Sequence, residues 1–534
     1  MTAPLSVRRV LGDHPFAEIG KPSAVAVSED RGLVAVGGDL GYLQWSGDGT
    51  GGSRWRQHRV GVYGTADLRC RHVVESRWPV HSVAFHPTLP LVAVGTGSYD
   101  GGYFFEGELL LVHLESGRAT SVLRGKREVL KLEWESPAEL RLLLAPPDEE
   151  EDEERAHTHA IEVVVERPDW AAVAPGSVRQ EELAGRWIAY ERPVGGDDVA
   201  ERLTALTGEP WWEPRRLVWD VRGLADGRVL ACLEEVLAEA WLPDGRLDWS
   251  VPDEEGGRQL VVRERDAWVN VERRRVRYVG RERVSEPPFV ARVSLTDGER
   301  LGALTLGRSV TFSTRRDGWL ALRATEAVMR RRPQPVDLVP PGGDTPTRAV
   351  TLNGFDLFNH PFPIRRAGRL LLLQGSEREP WRDKWVVEVD PYGTGEPRRL
   401  LPLDWRTPAR HLFGGPGVEV GGDLVHAGAV HDGAGLLPGN AFVVRRSLTD
   451  GALRWEFAAD HPATAVDGDE DTVYVAYNSG ELVALNALDG AIRWRQHLTV
   501  DGQPVVPLSL ELTAAGRLLI GTVDGRILDC SVAP

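Results

Sequence analysis

Short apolar runs rich in β-branched residues recur along the chain, and each is closed by a turn signal. Leu33–Gly37 (LVAVG), Leu91–Gly95 (LVAVG), Val473–Ala476 (VYVA) and Leu518–Gly521 (LLIG) all precede a turn and a second strand-like segment. Near the C-terminus the pattern is clearest. Thr472–Tyr477 (TVYVAY) passes through Asn478-Ser479-Gly480 into Glu481–Asn486 (ELVALN), which alternates apolar and polar positions as a half-buried strand does. Asp489-Gly490 then leads into Ala491–Leu498 (AIRWRQHL). Asp-Gly tolerates the positive φ of a tight turn, so the spacing predicts three consecutive antiparallel strands joined by hairpins.

The same phrase is reused. SLTDG stands at Ser447–Gly451 and at Ser294–Gly298, and RWRQH at Arg54–His58 and Arg493–His497. A Trp follows the Asp of an Asp-Gly turn by five residues at Asp244/Trp249, Asp450/Trp455 and Asp489/Trp494, and Leu114–Leu123 (LESGRATSVL) is a degenerate copy. Each unit reads as four short strands with the Asp-Gly hairpin between the third and fourth. One such sheet cannot bury both faces, so copies must stack face to face about an axis, as blades of a β-propeller. The predicted fold is all-β: a single large propeller of about eight four-stranded blades, with up to ten units countable, and two packed propellers as the alternative. The final strands, Val505–Leu512, Leu518–Gly521 and Ile527–Val532, lack a fourth. Ser6–Val10 is expected to supply it, closing the ring and removing two sheet edges.

Val80–Gly97 (VHSVAFHPTLPLVAVGTG) resembles the opening of a WD-repeat blade, and the Asp-Gly-x-x-x-Trp units resemble the pyrroloquinoline-quinone-type repeat of quinoproteins. No blade ends in Trp-Asp, and no Gly-His pair precedes Val80. The resemblance covers roughly residues 20–125 and 410–531 and implies the propeller fold without the quinoprotein chemistry. Quinoprotein dehydrogenases have adjacent cysteines and a calcium-binding acidic pocket, whereas Cys70, Cys232 and Cys530 are far apart. No cofactor is expected.

Three segments break the rhythm. The acidic run 148–154 (DEEEDEE) repels itself too strongly for a sheet and predicts a disordered loop over 148–156. Asp197–Thr207 (DDVAERLTALT) carries Val199, Leu203 and Leu206 at helical spacing before Gly208, predicting an inserted helix. Residues 330–346 are Pro-rich and predict a connecting loop.

Composition narrows the setting. The 534 residues hold 63 basic and 79 acidic side chains, a formal charge of −16, which argues against nucleic acid as a partner. Four lysines against 59 arginines suggest a GC-rich bacterial genome. The N-terminal MTAPLSVRRVLGDHPF has no apolar h-region, three cysteines form no framework, and no apolar run reaches the ~18 residues of a membrane span. The expected location is cytoplasmic, with no membrane partner.

Gly-x-Ser-x-Gly, His-Glu-x-x-His and Walker signatures are absent, and Gly95-Thr-Gly97 meets Asp100 where a dinucleotide fingerprint needs glycine. Asp467, Asp469 and Asp471 read as a solvated turn before a strand, His157 and His159 as a hydrated edge, and the arginines at 273–275, 277, 281 and 283 as a solvated blade edge. The tryptophans at 249, 455 and 494 read as packing between blades. No catalytic or metal-binding residue is assigned. The partner-binding candidates are aromatic: Tyr99, Tyr103, Phe104 and Phe105 on the long connection Ser98–Gly107, and Trp211 and Trp212 after the helix. His431–Asn440 is read as another extended connection. The expected function is a non-catalytic protein-interaction scaffold in a bacterial complex. The alternative is a hydrolase or lyase with its site at the axial mouth, marked by carboxylates, His or Arg converging there.

Overall fold

Hairpin after hairpin, strands pair with their sequence neighbours. The computed structural model describes residues 4–532 apart from 42–57, 100–103, 147–154, 156, 192–196, 210–211, 272–274, 280–281, 325–333, 354–361, 394–395, 407–410 and 432–435. Among the described residues the strands build ten sheets of three to five strands, besides two isolated hairpins.

Seven sheets form a closed ring. Blades 1 to 7 comprise residues 218–252, 260–305, 310–352, 370–403, 411–459, 463–497 and 507–532. A separate apolar cluster fills each junction, such as Leu230 and Leu237 against Val269 and Ala291 between blades 1 and 2. Val443 and Trp455 against Val475 and Val483 do the same between blades 5 and 6. Between blades 7 and 1, Leu519 and Ile527 pack on Val218 and Val229, which closes the circle. At that junction the absent side chain of Gly521 leaves room for Val218, and Ser509 Oγ donates to the Val218 carbonyl at 2.8 Å. The fourth strand of blade 7 is Leu5–Leu11, antiparallel to Ile527–Val532, with Leu5 opposite Val532 and Leu11 opposite Ile527. The N-terminal strand therefore closes the ring, as expected.

The other three sheets, at 21–76, 80–121 and 129–189, lie in the chain between Leu11 and Val218. They stack in an arc on the same principle, Gly37 receiving Val80 and Gly95 receiving Val129. The ten countable units are thus ten sheets. Seven rather than eight make the ring, because the first strand of blade 1, Val218–Gly223, docks directly on Pro507–Leu512 of blade 7. Both ends of the arc are finished differently. Helix α1, Asp197–Thr207, covers the free face of the first arc sheet, where Leu203, Trp212 and Phe16 pack on Val25, Val34 and Val36. The far face of the last sheet is charged: Arg141 meets Glu133 at 2.6 Å and Glu135 at 3.1 Å, and Arg186 meets Glu162 at 2.6 Å. A polar terminal face can end in water, so no further sheet is required. The arc is tied to the ring by Arg526, almost wholly buried, which pairs with Asp524 at 2.5 Å and with Glu18 at 3.2 Å.

Two expectations change. Residues 330–346 are not all loop: Gln334–Val339 is a strand of blade 3, paired with Leu320–Ala324 and Arg348–Leu352. Val336 and Leu338 alternate into the core, and Pro335 lies beyond the pairing with Leu320–Ala324, so its missing N–H breaks no bond on that side. His431–Asn440 is not an extended connection either, since Asp423–His431 pairs with Leu436–Ser447 and only 432–435 remain between them. The acidic run at 148–154 lies outside the described residues.

Candidate functional site: the axial channel and its mouth

The first strand of each blade faces the axis; in three blades it carries a side-chain acceptor, and in blade 2 Gln259, just ahead of the first strand, supplies a fourth. Asp220 of blade 1 accepts from the backbone N–H of Leu260 in blade 2 at 3.1 Å. Gln259 of blade 2 accepts from Phe312 N–H in blade 3 at 2.7 Å. Asp467 of blade 6 accepts from Leu512 N–H in blade 7 at 2.8 Å. Glu511 of blade 7 accepts from Gly223 N–H in blade 1. Each ties one blade to the next.

A second feature enters the channel from the segment between blades 3 and 4. Among the described residues blade 4 has three strands, within 370–403. The short strand Ile364–Arg365 leaves it to pair in parallel with Gly417 and Val418 of blade 5. Arg365 and Arg366 then reach the consecutive blades 1, 7 and 6. Arg365 donates to Asp220 at 2.8 Å, and Arg366 to Asp467 at 3.0 Å and to the Leu512 carbonyl. Arg222 meets Asp220 at 3.2 Å. Glu511 stands 3.8 Å from the guanidinium groups of both Arg222 and Arg365. Burial pushes the Glu511 carboxyl up, against the pull of Arg222 and Arg365. Arg365 loses stability as a cation through burial but is held above its ordinary range by Asp220, Asp467 and Glu511. The enclosed volume here is about 200 Å³.

This pocket opens, across Arg222, Val261 and Thr314, onto a basin of about 940 Å³ over blades 1 to 3. Six arginines line it, Arg222, Arg263, Arg265, Arg292, Arg315 and Arg316, with Glu264, Asp266, Asp317 and Glu511. Arg263 bridges blades 2 and 3, donating to the carbonyls of Gly343 at 2.6 Å and Gly318 at 3.3 Å. The arrangement is suited to holding an anion, with guanidinium groups as forked donors.

Of these axial residues the sequence singled out Asp467 alone, and as a solvated turn; it is 1% exposed and bonded to the next blade instead. The available signals were an Asp within the apolar strand VWDVRG at 218–223 and an Arg-Arg pair after two prolines at 361–366.

Of the aromatic candidates only Tyr99 and Phe105 are seen to meet, and Trp212 lies in a different cluster. Phe105 is 1% exposed, among Leu130, Ala145 and Ala160, and half-buried Tyr99 packs beside it at 4.9 Å. His157 lies against both rings, at 5.1 and 5.4 Å, and is itself exposed, in keeping with a hydrated edge. Trp212 is buried edge-on against Phe16, and its indole N–H donates to the Pro15 carbonyl at 3.1 Å. Phe105 and Trp212 are therefore packing residues and not partner anchors, because the neighbouring sheet and the helix-capped end bury them, whereas Tyr99 keeps part of its ring in solvent. Phe104 is 54% exposed. Tyr103 and Trp211 lie outside the described residues. Among the aspartates, Asp467 is the inter-blade brace above, Asp469 accepts from the N–H groups of Asp471 and Thr472 at 2.9 Å each, and Asp471 holds Arg493 with two bonds at 2.7 and 2.8 Å. His159 lies 6.5 Å from Trp187. Residues 275–279 and 282–286 of the arginine-rich stretch form a hairpin inserted in blade 2.

No curated protein matches the chain. A streptogramin B lyase structure is similar at TM-score 0.42 and 11% identity, covering 60% of this chain and 95% of that one. The WD40 domain of Neurospora crassa Pan2 is similar at TM-score 0.41 and 9% identity, covering 60% of this chain and 90% of that one. Residues 381–532, which span blades 5 to 7 and part of blade 4, match the PQQ_2 family model, described as outer membrane protein assembly factor BamB. The chain is a β-propeller whose residues 381–532 are similar to the quinoprotein-type repeat.

Proposed function

We propose that this propeller is a non-catalytic protein-interaction platform, acting as a scaffold in a bacterial complex. The observation that carries the reading is the employment of the axial carboxylates. Asp220, Asp467 and Glu511 each accept a backbone N–H from the next blade, and two of them also hold an arginine directly. Groups tied in this way brace the ring and are poorly placed to move protons. The family description for residues 381–532, an assembly factor, accords with an interaction role. Free thiols at Cys70, Cys232 and Cys530 support a reducing compartment, and we place the protein in the cytoplasm.

One observation favours a hydrolase or lyase at the axial mouth: the raised carboxyl of Glu511, at the edge of the basin. Glu511→Gln separates the two readings. A platform keeps its stoichiometric partner in this variant, as followed by co-purification from the native host. Loss of a hydrolytic or elimination activity in Glu511→Gln, with no stoichiometric partner recovered by the wild type, would overturn the platform.

A further inference from the structure

The basin over blades 1 to 3 has a charge at odds with the molecule around it. The chain carries −16 overall, yet here six arginines face four carboxylates. Three of the six are also neutralised by direct pairs: Arg222 with Asp220, Arg292 with Asp266 at 2.8 Å, and Arg315 with Asp317 at 3.3 Å. The other three are not. Among the described residues Arg263 donates to backbone carbonyls of Pro340, Gly343 and Gly318, and Arg316 to the carbonyl of Arg366. Arg265 is exposed and makes no ion pair. Three guanidinium groups with no direct carboxylate pair among the described residues thus converge on one concavity.

The rim adds an apolar anchor. Trp319 lines the basin and donates its indole N–H to Tyr392 Oη at 3.0 Å, with the rings edge to face at 5.4 Å. Tyr392 is 68% exposed, and the Arg315 guanidinium lies 5.8 Å from its ring centre. An exposed tyrosine held rigidly by a buried tryptophan, next to arginines, is the composition of an interface hot spot.

We infer that this basin is the docking site for an acidic, Asp/Glu-rich peptide segment of a partner protein. The inference rests on the platform reading and names its surface and the chemistry of its partner. Carboxylates match the donors of the exposed Arg265 and Arg316, with the charge of the carbonyl-bound Arg263 beside them, and a neighbouring side chain packs on Tyr392. The volume suits a few residues of extended chain. Glu264, Asp266, Asp317 and Glu511 interrupt the positive field, and the acidic remainder of the molecule repels a long polyanion, so a nucleic acid is the poorer match.

The test uses the full chain and a fluorescein-labelled Asp/Glu-rich peptide with one central Phe, read by fluorescence anisotropy. A Lys-rich peptide and an oligothymidylate of equal charge serve as comparisons. Saturable binding of the acidic peptide is expected, weakening with salt as exposed charges are screened. Arg265→Glu and Arg316→Glu should each raise the dissociation constant about tenfold, and Arg265→Lys should retain most of the affinity. Both arginines are exposed, and an unchanged melting midpoint confirms that folding is intact. Absence of peptide binding, equal binding by the charge-reversed variants, or tighter binding of the oligothymidylate would each overturn the inference. If the peptide fails while Arg265→Glu still holds the native partner, the platform stands on another surface. If the wild type holds neither, both readings fall.

Discussion

The indole of Trp455, on the outer strand of blade 5, lies over Gly490, the turn glycine of blade 6. A Cβ built on that glycine would sit 2.8 Å from Cδ2 and Cε3 of the ring. The same turn is gripped a second time, because Trp455 Nε1 donates to the Ala487 carbonyl at 2.8 Å. Trp249 of blade 1 stands over Gly298 of blade 2 in the same way, at 2.7 Å. Across the closing junction, Leu11 and Arg9 of blade 7 face Gly245 of blade 1 at 3.7 Å. The Asp-Gly-x-x-x-Trp spacing is therefore a joint. Its glycine receives the previous blade, and its tryptophan is offered to the next.

That joint makes a double prediction. Trp455→Ala removes a buried ring and should cost about 3–5 kcal/mol. Gly490→Ala meets both the ring and a φ of +73°, and should cost about 1–3 kcal/mol. Because both substitutions act on one contact, the double variant should lose less than the sum of the singles. Urea denaturation of the four proteins measures this, and strict additivity would contradict the contact.

The joint also explains which parts of the fold were legible. Turn chemistry and strand alternation are local, so repeated Asp-Gly hairpins and the missing fourth strand of the last blade could be read directly. The division of ten sheets into a ring and an arc could not. It depends on whether Val218 docks on blade 7 or on the sheet ending at Ala189, and nothing in VWDVRG states which. The site was less legible still. Arg365 and Asp220 are 145 positions apart and meet only because Ile364–Arg365 abandons blade 4 for the edge of blade 5. Aromatic residues drew notice because they are conspicuous in a turn-rich sequence, but Phe105 and Trp212 are conspicuous because they are core.

Closure by the N-terminal strand gives a second prediction. Deleting residues 1–12 strips the fourth strand from blade 7, with buried Leu5 and Leu11, and removes the Arg9 guanidinium from Asp529. It exposes the edge of Ile527–Val532 and loosens the packing on blade 1. The loss should be several kcal/mol, the scale of a repeat interface. An unchanged thermal midpoint would mean the ring closes by other means.

The third prediction concerns acid. His426, 1% exposed, packs against Phe362 and Phe442, and its Nε2 has no partner. Burial brings its pKa down to about 4, opposed by the bond to the Ala427 carbonyl. Between about pH 6.5 and 4 the unfolded chain binds a proton there that the folded chain does not, so stability falls as pH drops through this window. The contribution approaches about 3 kcal/mol at the acid end. His426→Gln should flatten the slope of unfolding free energy against pH across that window. A variant with the wild-type slope would assign the acid sensitivity to other groups.

The last prediction divides neighbouring phenylalanines. Phe105 fills the junction between two arc sheets, beside Leu130 and Ala160, whereas Phe104 is more than half exposed. Phe105→Ala should therefore destabilise by about 3–5 kcal/mol, as a large-to-small change in a packed core does. Phe104→Ala should stay within about 0.5 kcal/mol of the wild type, since its ring is more than half exposed. With folding intact, Phe104→Ala isolates whatever this connection contributes to a partner. Comparing it with Arg265→Glu in co-purification from the native host asks whether arc and ring mouth contact the same molecule. Weakened capture in both variants places the partner across the two. Weakened capture in Arg265→Glu alone leaves the arc as a brace for the ring, its rings spent on packing.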